Sequence, residues 1–255
     1  MKVATIQFAP AFRQKRENQR RLVKLVEQAA AGGAKLIVMP ELATTGYSYM
    51  GPGEALVDAE VITLGPALRA IDEIPTVKLM GQLAAKLHVH LVWGMVELDD
   101  KTNKLFNSQV YVDPFGYLES MRKINRWAND FLWAEAGRSN PPVVKANFDG
   151  VERRVGLLVC RDIRDKVSKT WTDLYQPGDA DIVCLSANFG DGAFPATSWM
   201  DFVEENKTTL IVSNRYGREA NNNFGEGGIC VIEPSGKVHC EGLVWSEDCI
   251  VYADV

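Results

Sequence analysis

The chain has 255 residues, 46% of them hydrophobic, with a formal net charge of −5, which is enough apolar material for a large core in one domain spanning residues 1–255. No long acidic or basic run stands behind that charge, so the composition gives no electrostatic footprint for nucleic acid, and a small-molecule site is the expectation. Apolar stretches of about five or six residues are far below the roughly 20 that span a bilayer, and Met1 to Pro10 lacks the features of a secretory leader, so no membrane contact and a cytoplasmic location are expected.

In chain order, Lys2 to Gln7 reads as a strand, and Glu17 to Ala31 places Leu22, Leu25 or Val26, and Ala29 at helical spacing before Gly32-Gly33 closes the helix. Lys35 to Met39 reads as a strand, Gly51-Pro52-Gly53 as a turn, Val77 to Leu87 as a helix and His90 to Gly94 as a strand. Asn107 to Val112 and Tyr117 to Arg122 form one hairpin through Asp113 to Gly116; Val143 to Phe148 and Val151 to Val159 form another through Asp149-Gly150. A helix near Lys169 to Leu174 leads to a strand at Asp181 to Ala187, and a helix near Ser198 to Glu205 leads to Leu210 to Asn214. Strands at Gly228 to Glu233, Lys237 to Gly242 and Cys249 to Val255 complete the chain, with Pro234-Ser235-Gly236 as a turn. Strand–helix–strand units interrupted by hairpins give an α/β fold with mixed sheets.

Three segments carry chemistry. Leu36 to Glu41 delivers a carboxylate directly at the end of an apolar strand, where α/β proteins build their sites. Val155 to Asp162 delivers Cys160 from an apolar strand into a charged turn, the setting of a reactive thiol, whereas Cys184 sits in the apolar setting of a structural one. Met121 to Asp130 places Lys123 at the end of a hairpin strand, before an aromatic, polar loop. Taken singly, these residues also fit a solvated Glu, a small hydrophobe and a surface Lys.

In this order, Pro40-Glu41, Arg122-Lys123-Ile124 and Cys160 after Gly156-Leu157-Leu158-Val159 resemble the motifs of the nitrilase superfamily of carbon–nitrogen hydrolases. The likeness runs along the whole chain through Val3 to Gln7, Gly32-Gly33-Ala34, Thr45-Gly46-Tyr47, Phe106-Asn107-Ser108 and Pro234-Ser235-Gly236. The resemblance implies an α-β-β-α sandwich, a Glu41–Lys123–Cys160 triad, no metal or organic cofactor, and a homodimer. It also implies a second acid shortly after the lysine, where this chain has Asp130 in place of the usual glutamate, with Trp133 and Gly137 preserved downstream; Glu135 is the nearby substitute. After the nucleophile many members carry an aromatic residue and then Pro-Glu, whereas this chain reads Arg161-Asp162-Ile163-Arg164-Asp165. The stretch Phe224 to Cys230 is similar to the aliphatic amidase and formamidase branch.

An amide needs a strong nucleophile, a home for the oxyanion and a proton for the departing nitrogen. In this scheme Glu41 takes the thiol proton, Cys160 attacks, and Lys123 with the backbone N–H of Arg161 holds the oxyanion, while Asp130 orients Lys123 or the substrate nitrogen. The same groups can attack a nitrile through a thioimidate. Candidate substrate contacts are Tyr47, Trp133, Asn188, Arg161 and Arg215. The arginines have two open readings, a clamp for a substrate carboxylate or ion pairs with Asp162, Asp165 or Glu219, and Trp127 and Trp133 either line the site or pack. A catalytically silent binding protein on the same fold is a further alternative, for which the shortened acid Asp130 is the one supporting feature.

Other signals are set aside. Cys230, His239, Cys240 and Cys249 lack the short spacing of a zinc knuckle, and the odd count of five cysteines, in or beside apolar runs, favours reduced thiols. Gly225 to Gly228 lacks the strand-then-helix context of a phosphate loop. His88, His90 and His239 complete no Ser-His-Asp set.

Overall fold

The computed structural model describes residues 1–63, 75–164, 170–190, 194–225, 227–240 and 246–255. Asp165, Lys169, Glu226 and Gly242, which figure in the expectations above, lie outside them. Two six-stranded mixed sheets stack face to face. The first has the order β14-β1-β2-β3-β4-β5, built from β1 (Lys2–Gln7), β2 (Leu36–Val38), β3 (His90–Asp99), β4 (Lys104–Val112), β5 (Leu118–Arg122) and β14 (Cys249–Asp254). The second has the order β13-β12-β9-β8-β7-β6, from β6 (Val143–Phe148), β7 (Val151–Val159), β8 (Ile182–Ser186), β9 (Thr209–Ser213), β12 (Cys230–Ile232) and β13 (Val238–His239). A two-stranded ribbon, β10 (Arg218–Glu219) with β11 (Asn222–Asn223), stands apart.

Both faces of each sheet are covered, which is why the central strands read as continuous apolar runs. Along β1, Ala4 and Ile6 face the helices α1 (Lys15–Ala31) and α3 (Thr76–Leu87), meeting Leu22, Val26, Ala29, Val77 and Met80. The alternate residue Val3 joins Leu36, Val38 and Val92 against Leu157, Cys184 and Ile211 of the second sheet. Helix α6 (Thr197–Asn206) covers that sheet's outer face through Trp199, Phe202 and Val203. The layers are therefore α-β-β-α.

The layer between the sheets is not wholly apolar. Thr5 Oγ1 donates to the Val212 carbonyl at 2.7 Å, Ser213 Oγ to Ile6 at 2.6 Å and Ser186 Oγ to Met39 at 2.7 Å, while Gln109 Nε2 donates to Ser186 Oγ at 2.8 Å. Buried polar side chains need such partners, and these pin one sheet's register to the other's. In each sheet three neighbouring strands run parallel, β1-β2-β3 and β7-β8-β9. The Ser186–Met39 bond shows that the carboxyl ends of the two parallel sets lie together, the place where open α/β sheets hold ligands.

Three local expectations change. Gly51-Pro52-Gly53 is not a turn: Pro52 opens a seven-residue helix, α2 (Pro52–Asp58), with Glu54 accepting the Met50 N–H at 2.9 Å. Proline fits a helix's first position because its φ is preset and its missing N–H would be unpaired there anyway. Strand β3 continues past Gly94 to Asp99, where it turns into β4 through pairing of Asp99 with Lys104. The loop after Lys123 contains a short helix, α4 (Asp130–Trp133). Among the described residues no helix is long and apolar enough to cross a membrane.

At the far end of the sandwich His90 joins the two sheets, with Nδ1 2.6 Å from the Tyr111 hydroxyl and Nε2 3.2 Å from the Asn147 carbonyl. Those partners fit a neutral ring that accepts from Tyr111 and donates to Asn147. Burial lowers its pKa, against the smaller upward pull of Asp113 and Asp149. A histidine held neutral in the fold takes up a proton on unfolding, so its contribution is complete above its unfolded pKa of about 6.5 and is lost as pH falls below that, by up to about 1.4 kcal/mol per pH unit. Denaturant unfolding at pH values above and below 6.5 should show this loss in the wild type and less of it in His90→Gln; an identical pH slope in both would remove His90 as the cause.

Candidate active site

Backbone hydrogen bonds place the segment that carries Glu41. Beyond β2 the chain continues along β3: the Met39 N–H donates to the Val92 carbonyl at 2.8 Å, Gly94 N–H to Pro40 at 3.0 Å and Ala43 N–H to Gly94 at 3.0 Å. The passage is possible because residue 94 has no side chain; a Cβ there would lie 2.4 Å from Leu42 N and 2.6 Å from Glu41 Cα.

Lys123 directly follows β5, its N–H donating to the Asn107 carbonyl and its carbonyl accepting from the Gly137 N–H, each at 2.8 Å. Its Nζ donates to Glu41 Oε1 at 2.7 Å and Asp130 Oδ2 at 2.6 Å. Asn107 Nδ2 bridges the same two acids, at 2.7 Å from Glu41 Oε1 and 3.0 Å from Asp130 Oδ1, and the Trp127 N–H reaches Asp130 Oδ2 at 2.9 Å. All three charged groups are buried. Burial alone would lower the Lys123 ammonium, but Asp130 and Glu41 more than offset it and hold its pKa well above the ordinary value. Burial raises Glu41, Lys123 opposes that, and Asp130 adds to it.

Cys160 ends β7 at the head of a 3-10 turn, Cys160–Ile163, with φ of 47°, in the left-handed region. Its thiol is buried, and burial followed by the Glu41 charge pushes its pKa up, while Lys123 and the backbone N–H of Asn188 pull it down. These effects together favour the protonated thiol. Asp162 fastens this turn to the lysine segment, its carboxylate accepting the Asn125 N–H at 2.7 Å and the Ile124 N–H at 3.3 Å. Burial pushes the Asp162 pKa up to about 6.

The other expected contacts separate. Tyr47 lies at the site, its ring 5.9 Å from Lys123 Nζ and its hydroxyl donating to the Trp127 carbonyl at 2.5 Å. The exposed Trp127 ring carries the Arg161 guanidinium at 4.5 Å. Trp133 is buried edge-on to Tyr49 at 5.5 Å. Of the two readings of Arg215 the structure gives the ion pair: the group is buried, 2.7 Å from Glu219 and 4.1 Å from the Phe224 ring centre. Glu219 in turn accepts the N–H groups of Tyr47 and Ser48 at 2.7 Å. Glu135 is half exposed beside Lys104 at 3.6 Å, so Asp130 is the acid that meets Lys123. Asn188 follows β8, next to the thiol.

Asn107, Asp162 and Glu219 were absent from the expected site. The signal for Asn107 was a polar residue inside an apolar strand, which when buried must find a partner; Glu219 is positioned by folding of distant loops and had no local signal. Among the described residues several buried polar side-chain atoms have no hydrogen-bond partner, including Glu41 Oε2, Asn107 Oδ1, both ends of the Asn188 amide and Arg215 Nε.

The profile of the carbon–nitrogen hydrolase family matches residues 2–255. The chain belongs to that family. It is 28% identical over 223 residues to a nitrilase of Pyrococcus abyssi, covering 86% of this chain and 76% of the relative. It is 25% identical to an (R)-stereoselective amidase of Pseudomonas, covering 93% and 79%. The fold matches a nitrilase-superfamily amidase of Nesterenkonia with a TM-score of 0.78 at 19% identity, over 100% of this chain and 92% of that one. A carbon–nitrogen hydrolase superfamily protein of Xanthomonas campestris matches equally, at 0.78 and 23% identity, over 100% and 90%. This is a nitrilase-superfamily hydrolase of C–N bonds, with the α-β-β-α fold of that superfamily.

Because Gly94 lies backbone to backbone against Glu41, Gly94→Ala should displace the carboxylate. We expect a stability loss of about 1–3 kcal/mol, the range for forced overpacking, together with a fall in hydrolysis. A variant with wild-type thermal stability and turnover would show that the passage is looser than described.

Proposed function

We propose that this hydrolase is a cysteine-dependent amidase that releases ammonia or a small amine from a small amide, working as a single domain with Glu41, Lys123 and Cys160 as its triad. The observation that carries this reading is the buried ammonium of Lys123 shared between Glu41 and Asp130, beside a thiol that burial keeps protonated. Glu41 takes the proton from Sγ, and the sulfur attacks the substrate carbonyl. The oxyanion faces Lys123 Nζ and the backbone N–H of Arg161, donors already fixed before charge develops. Glu41 then gives its proton to the departing nitrogen, leaving a thioester. Water, deprotonated by Glu41, attacks the thioester, and the acid leaves as the thiol is restored. Asp130 holds Lys123 in place and shares its charge.

A second reading has its own support, since relatives from Pyrococcus abyssi and Schizosaccharomyces pombe are named nitrilase and probable nitrilase. The same thiol would attack a nitrile carbon to give a thioimidate. Ammonia release from matched pairs of small amides and nitriles separates the two readings, and release from neither class would favour a silent binding protein.

Cys160→Ala and Glu41→Gln should fold and lose at least about a hundredfold in rate, the scale of a removed nucleophile or general base, while Cys184→Ala keeps its turnover. Lys123→Ala is the poorer test, because two buried carboxylates left without their cation cost about 3–5 kcal/mol of stability. Normal turnover in Cys160→Ala would overturn the mechanism. The homodimer is likewise a proposal, supported by the family resemblance, and light scattering at micromolar concentration should give twice the chain mass; a monomer would refute it.

A further inference from the structure

The carboxamide of Asn188 is among the most isolated polar groups near the thiol. The residue is only 6% exposed, and among the described residues neither Nδ2 nor Oδ1 has a hydrogen-bond partner. Burying an amide without partners is unfavourable, and such a group in a native fold calls for an explanation. Its position supplies one. Along β8, Ser186 points toward the first sheet, since its hydroxyl donates to Met39, two residues before Glu41. Beyond β8 the chain stays beside β9, the Ala187 N–H donating to the Ser213 carbonyl at 2.8 Å, and so carries Asn188 on at the same end of the sandwich. The backbone N–H of Asn188 meets the Cys160 thiol. The next residue is held at both ends by the Asn214 side chain, with the Phe189 N–H donating to Oδ1 at 2.9 Å and Nδ2 donating to the Phe189 carbonyl at 3.3 Å. The amide is thus carried on a fixed backbone.

In the mechanism proposed above the other polar groups of the site already have tasks: Lys123 and the Arg161 N–H meet the substrate oxygen, and Glu41, whose Oε2 is also unpartnered, meets the leaving nitrogen. What is left for Asn188, on the second sheet, is the rest of the acyl group. We propose that the Asn188 side chain determines specificity by hydrogen bonding to the acyl part of the substrate, selecting small amides with a hydroxyl, amine or second carbonyl on the carbon beside the scissile carbonyl. This rests on the amidase reading above. A site built to bond such a group discriminates strongly against an analogue that lacks it, because the protein's own polar group then stays unpaired.

The test compares kcat/KM for 2-hydroxypropanamide and 2-methylpropanamide, which have the same shape and differ by hydroxyl against methyl. The wild type should favour the hydroxy compound by about a hundredfold. Asn188→Leu should bring that ratio to about one or below it, and its melting temperature should rise by about 2–4 °C as an unpaired buried amide is removed. Should Asn188→Leu fail to fold, Asn188→Ala gives the same ratio test. A wild-type preference for the methyl compound, or an unchanged ratio in the variant, would overturn the inference while leaving the amidase reading intact. Absence of ammonia from both these compounds and the wider amide panel would instead remove the amidase reading and this inference with it.

Discussion

A single ammonium, Lys123 Nζ, sits inside the protein between two carboxylates, and the site is organised around it. Taking an ion out of water costs several kcal/mol even after relaxation, so the arrangement persists only with close geometry and further hydrogen bonds to the remaining atoms. Asn107 supplies one such bond to each acid, and the Trp127 N–H adds another to Asp130. Burial, followed by the Glu41 charge, raises the Cys160 pKa and favours the protonated sulfur, with Lys123 opposing the shift. In the proposed mechanism this sets Glu41 near a proton it can take and keeps Lys123 charged for an oxygen that is to become negative.

That group of charges belongs to the first sheet, while Cys160 belongs to the second, and the chain joins them by carboxylates as well as by core packing. Asp162 reaches from the cysteine turn to the backbone just after Lys123. Glu219, held by Arg215, reaches from the ribbon to the backbone of Tyr47 and Ser48. In both cases a buried acid accepts two consecutive N–H groups, which fixes the direction of a loop and not merely its position. The arginine expected at the substrate instead secures the wall of the site.

Much of this was legible in the sequence, for identifiable reasons. Apolar runs ending at Glu41 and Cys160 marked the strand ends, because a strand buried on both faces has no polar residue until it emerges. Lys123 was found through its order in the chain relative to those two. The helix at Pro52 was missed because two glycines flanking a proline look like a turn, while the proline itself is well suited to begin a helix. Asn107 carries only the signal of a polar residue in an apolar strand, and Asp162 and Glu219 read only as partners for arginines, because the groups they meet are brought near only by folding. Asp130 opens the short helix and meets Lys123, while Glu135 lies beyond the helix beside Lys104, and spacing alone does not carry that information.

The left-handed backbone at Cys160 sets two demands against each other. A side chain at that φ is strained by about 1–2 kcal/mol, and glycine would relieve it. The thiol is also buried in the layer between the sheets, where its removal would leave a cavity. Replacement by glycine at this position therefore gains in backbone conformation and loses in packing.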